Sequence, residues 1–109
     1  MSDPITAHDV LIGAAQDIAQ RAALRDQATG ERSMARTVAA FNVMFGHAVT
    51  EAQGWQFMEL LKMSRGAAGN YHADDHADRT AYAALGAEAA AAAAARPAPV
   101  VFQDGEPGC

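Results

Sequence analysis

The chain has a single cysteine, Cys109, at its last position, so no disulfide can form within it and the composition suits a reducing compartment. Positive charge is also scarce. Eight Lys and Arg face thirteen Asp and Glu, for a formal net charge of −5. No basic cluster is present, which argues against a sequence-independent grip on a phosphate backbone and makes nucleic acid an unexpected partner. No stretch approaches the roughly 20 apolar residues of a membrane span, and MSDPITAHDV has neither the basic nor the apolar region of a signal peptide. A soluble cytoplasmic protein is expected. Aromatics make up only 6% of the residues. The core must therefore depend on close backbone approach more than on bulky side chains.

Alanine fills much of the apolar share. Ala has the best helix propensity, and β-branched residues are sparse, so the expected class is all-α. The length of 109 residues suits one domain with a modest core. Four helices are expected. The first, over 7–27, follows a capping box of Thr6 and Asp9, carries Val10, Leu11, Ala14, Ala15, Ile18 and Ala22 at helical intervals, and ends at Gly30. The second starts at Ser33, places Val38, Phe41 and Phe45 on one face, and closes at Gly46. The third opens with a capping box of Thr50 and Gln53, carries Trp55, Met58, Leu60 and Leu61, and stops at Gly66. The fourth begins with Asp74 and Asp75, continues through Ala77, Ala81, Ala84 and Leu85, and is extended by seven alanines from Ala89 to Ala95. Short connections between them suggest a four-helix antiparallel bundle over residues 5–95. Pro97 and Pro99 then begin an irregular tail over 96–109, with Val100, Val101 and Phe102 as its apolar residues.

Polar chemistry concentrates in GNYHADDHADRTAYAAL, residues 69–85. Asp75 and Asp78 lie one helical turn apart, which puts both carboxylates on one face, with Cβ atoms about 5–6 Å apart. Such a pair can share Mg²⁺, a hard cation that takes one or two carboxylates and keeps positions for water and phosphate. Glu59, on the preceding helix of an antiparallel hairpin, is the candidate third ligand. The alternative is plain: Asp74 and Asp75 complement the helix dipole, while Asp78 pairs with Arg79 or Lys62 on a solvated face. His72 and His76 are also one turn apart, but the glutamate of a zinc-protease motif is missing.

The stretch MELLKMSRGAAGNYHADDHADRTAYAALGAE, with ARTVAAFNVMFGHAVTEAQGW before it, resembles a family of small phage and prophage proteins of unassigned function. The likeness spans residues 32–88 and rests on Leu60, Leu61, Lys62, Arg65, Tyr71, His72, Asp75, Asp78, Tyr82 and Leu85 in order. That family in turn resembles the all-α nucleotide pyrophosphohydrolases, the MazG and dUTPase-like group. What the resemblance implies is Mg²⁺-dependent cleavage of a nucleoside triphosphate to monophosphate and pyrophosphate in a MazG-like bundle. Glu59, Asp75 and Asp78 would be the metal-binding and catalytic carboxylates. Lys62 and Arg65 would meet phosphate, and Tyr71 or His72 would flank the base; helix-dipole placement is the competing reason for Lys62 and Arg65. Tyr82 is expected to pack. This sequence departs from the group's pattern of acids, because Trp55 and Gln56 stand where it has two more carboxylates. One ion is then expected in place of two. The competing expectation is a catalytically reduced module that binds a nucleotide or a host protein. Trp55 and Phe57 are candidate residues for a homodimer or higher homo-oligomer, in the host cytoplasm if the protein is phage-encoded.

Overall fold

A computed structural model of the chain describes residues 3–25 and 33–96. All regular structure among them is helical: α1 (Ala7–Arg25), α2 (Ser33–Phe45), α3 (Glu51–Ala68) and α4 (Ala73–Ala95). The expected all-α, four-helix architecture is the observed one. The expected stop at Gly30 and the tail from Pro97 onward, with Val100, Val101, Phe102 and Cys109, lie outside the described residues. No helix among those described is long and apolar enough to cross a membrane.

Both capping boxes form. The Asp9 amide donates to Thr6 Oγ1 and the Thr6 amide to Asp9 Oδ2, each at 3.1 Å. At α3 the Gln53 amide donates to Thr50 Oγ1 at 3.1 Å, and the Thr50 amide donates to Gln53 Oε1 at 2.9 Å. Each box satisfies two helix-end donors that would otherwise have no partner. Gly46 closes α2 with φ +68°, a conformation that suits glycine. The loop after it is held by Asn42, whose amide nitrogen donates to the Val49 carbonyl at 2.9 Å while its Oδ1 accepts from the Val49 amide at 2.8 Å. One side chain thus fixes where α3 starts relative to α2.

The expected stop at Gly66 is corrected: α3 runs on to Ala68, and Gly69 carries the chain out in extended backbone. A helix-interior glycine costs about 1 kcal/mol relative to alanine. That is too little to end a helix when two alanines follow. The connection to α4 is correspondingly short, and α3 and α4 form an antiparallel hairpin in which Lys62 faces Asp78 and Trp55 faces Tyr82.

The core lies in this hairpin. Trp55 and Tyr82 stack with ring centroids 5.7 Å apart and planes 24° from parallel, and Leu85 completes the buried cluster. Ile18 from α1, Met34 from α2, and Met58 and Ala89 from the hairpin itself pack around it. Gly86 lets the helices approach, since a Cβ there would sit 3.3 Å from Trp55 Cβ. Among the described residues, α1 packs on α4 and α2 packs on α3, while α1 and α2 do not meet. Ala14 is buried on α1, but α2 has no buried residue. It comes close to α3 at Gly54, which is itself buried.

A Cβ at Gly54 would run into Met34 Sδ and come within 2.8 Å of Val38 Cγ1. Met34 is flexible, whereas the β-branched Val38 has little rotamer freedom on a helix. Gly54→Val is therefore expected to destabilise the protein by about 1–3 kcal/mol, the usual range for overpacking. Urea unfolding followed by circular dichroism measures it; an unchanged midpoint would show that α2 is not seated on Gly54.

Candidate functional site

The start of α4 follows from local sequence. His72 takes the N-cap position in extended backbone without a side-chain cap bond. Asp74 and Asp75 occupy the first turn, where their charge complements the helix N-terminus. Tyr71 and His76 stack with centroids 5.6 Å apart, inclined by 28°. The tyrosine ring is thus engaged by His76, while His72 is exposed next to it.

Asp78 sits one turn deeper and is not on a solvated face. The Lys62 ammonium donates to Asp78 Oδ2 at 2.7 Å, and both side chains are mostly buried. Arg21 Nη2 approaches Oδ1 at 3.7 Å, so α1 is also tied to this carboxylate. The hydrogen bond to Asp78 raises the Lys62 pKa above its ordinary value of 10.5, outweighing the opposing effect of burial. Of the two pairings open from sequence, Lys62 is the partner, because the hairpin register places it opposite Asp78.

The other candidates diverge. Glu59 is half-buried and lines a broad groove between α1 and α4, with Asp17, Arg79 and Thr80 among its neighbours there. Asp75 lines a narrow groove between α3 and α4 with Lys62, His76 and Arg79. Arg65 is exposed in the last turn of α3, a favourable place for a cation on dipole grounds alone. Among the described residues, no group of three or more His, Cys, Asp or Glu side chains is gathered closely enough to hold a metal ion. Glu59, Asp75 and Asp78 do not form such a group among the described residues, and Lys62 takes up the negative charge that Asp78 would otherwise offer to an ion.

Of two further residues important here, Arg21 was not singled out from sequence, and Arg79 was considered there only as a partner for Asp78. Arg21 lies one turn beyond Ile18 on the inward face of α1, a spacing that the first-helix pattern could have been extended to reach. Arg79 lines both grooves, and its Nε is buried with no hydrogen-bond partner among the described residues. Its position one turn after Asp75 was legible, but its burial depends on how α1 and α3 flank α4.

A second feature is apolar. Between α2 and α3 runs a groove of about 590 Å³ lined by Met34, Val38, Phe41, Phe57, Met58 and Leu60, with neutral Thr37, Gln53 and Gln56 at its edges. Phe41 is held by tilted contact with Phe45, at 5.0 Å, and by stacking on His47, at 5.6 Å. Trp55, expected as an interface residue, is instead buried in the hairpin core; Phe57 is exposed. The rotation of about 200° between positions 55 and 57 on a helix is the reason.

Fold and surface together define a small all-α protein in which Lys62 and Asp78 pair across the α3–α4 hairpin and, among the described residues, an apolar flank of α2 and α3 is exposed. Residues 9–90 match the family described as Domain of unknown function (DUF6378), and the chain belongs to that family. No curated protein and no solved structure matches it.

Lys62→Met would leave the Asp78 carboxylate in a mostly buried seam with only the more distant Arg21. Urea unfolding near neutral pH is expected to show a loss of about 1–3 kcal/mol, between the values for exposed and fully buried pairs. Because the Lys62 pKa is raised on folding, its contribution is complete below pH 10.5 and disappears as pH rises through the higher folded value. Wild-type protein should accordingly lose more stability than Lys62→Met across that alkaline interval. Equal losses would remove the pair from the stability account.

Proposed function

We propose that the protein is a non-catalytic helical interaction module whose working surface is the apolar face shared by α2 and α3. The observation that carries this reading is that α2, a 13-residue helix, buries none of its residues although it carries Val38, Phe41, Met44 and Phe45. A helix of this length is marginal in water by itself and draws its stability from packing of an apolar face. A covering partner supplies that packing. The reading agrees with the sequence resemblance in its reduced form: a relative of the nucleotide pyrophosphohydrolases in which Trp55 has become core, Gln56 is neutral and Asp78 is neutralised by Lys62. It includes a cytoplasmic location, supported by the single cysteine.

A photo-crosslinking residue placed at Phe57 in producing cells tests the reading, with one at exposed Glu88 on α4 as the control. Adducts are expected from position 57 well above those from 88. Equal yields would overturn the assignment of the face.

A second reading, binding of a nucleotide without turnover, has its own observation. Lys62 and Arg79 line one narrow groove, and Arg79 Nε has no hydrogen-bond partner among the described residues. Guanidinium and ammonium groups are suited to phosphate oxygens. Incubation with nucleoside triphosphates and Mg²⁺ is expected to yield no monophosphate and pyrophosphate; product, with contaminating hydrolases excluded, would restore the pyrophosphohydrolase reading. Thermal shifts with the same nucleotides, reduced in Arg79→Gln, are the expected sign of binding. An identical shift in Arg79→Gln would remove this groove as the site.

A further inference from the structure

We infer that the α2–α3 face is closed by a second copy of this chain, an inference that rests on the interaction reading above and names its partner. Phe41, Met44, Phe45, Phe57 and Leu60 are each between 40% and 74% exposed. At about 200 Å² per large side chain, these five leave about 600 Å² of apolar surface in water on each protomer. A standard stable interface buries about 800 Å² per partner. In homodimers about 65% of that is apolar, or about 520 Å². The exposed area therefore matches what a stable dimer of this chain needs.

Charge permits a second copy on this face and disfavours one elsewhere. Each chain carries a net charge of −5, so two copies repel over most approaches. The residues lining the α2–α3 groove include no charged side chain, and Thr37, Gln53 and Gln56 at its edges are neutral and able to hydrogen-bond. This surface can meet its own copy without opposing like charges.

Shape agrees with charge. A two-fold interface uses the same patch on both protomers, so the patch must carry both a projection and a recess. Here Phe57 and Leu60 project from α3 beside the recess lined by Met34, Val38 and Phe41. The ridge of one protomer can enter the recess of the other, and α2 thereby acquires the buried face it lacks in the single chain.

Sedimentation equilibrium of the full chain at micromolar concentration is expected to give twice the 11.4 kDa mass of one chain. Phe57→Glu combined with Leu60→Glu should weaken association at least a hundredfold while the α3–α4 hairpin keeps its helical circular dichroism, since both side chains are exposed. Leu60→Lys alone is the milder variant, expected to weaken association at least tenfold without loss of helicity. Val43→Glu, on the far side of α2 from Phe41, should leave the dimer intact. A monomeric wild type, or a dimer indifferent to Leu60→Lys, overturns the inference. The mass of the crosslinked adduct at position 57 separates it from the broader reading: two chain masses support a second copy, and any other mass overturns the second copy while the interaction face stands. No adduct above the Glu88 control overturns both.

Discussion

The stack of Trp55 on Tyr82 is the contact around which the other helices are placed. The chain has one tryptophan and two tyrosines, and this pair brings one of each together in the seam of the α3–α4 hairpin. Leu85 adds a third large side chain to the buried cluster, and Gly86 permits the helix approach that keeps the rings covered. Everything further out is attached to this seam: Ile18 brings α1 against it and Met34 brings α2. An alanine-rich α4 can provide close approach but little volume, so the aromatic pair carries a large share of the burial available to a chain of this size.

The same register decides the chemistry. Once Trp55 faces Tyr82, Lys62 is carried to Asp78, and a carboxylate that spacing alone left open to a cation is instead satisfied within the protein. Arg21 adds a second, longer contact, so one acid helps hold three helices. Glu59 and Asp75 then line separate grooves. One acid of the polar cluster is thus paired within the protein, and among the described residues an apolar flank formed by α2 and α3 is exposed.

Local devices were readable residue by residue. Thr6 with Asp9, Thr50 with Gln53, and Gly46 each act as their spacing suggests, because caps and positive-φ turns are decided within four or five residues. Gly66 misled because the weak penalty of an internal glycine was outweighed by the alanines after it. Asn42 was missed although its two bonds to Val49 position α3, since the return of the chain past a side chain seven residues back leaves no periodic trace.

Helix class, helix number and the acidic start of α4 were determined by the sequence itself, through propensity, capping and dipole effects that act within a turn or two. Tertiary structure alone decided that Trp55 is core while Phe57 is surface, that Asp78 belongs to Lys62, and that α2 lies along α3 with no buried residue of its own. Those outcomes depend on helix rotation and on the register between helices. Both are set by packing at Gly54, Gly86 and the Trp55–Tyr82 stack, and an error of one residue in either rotates a side chain by about 100°.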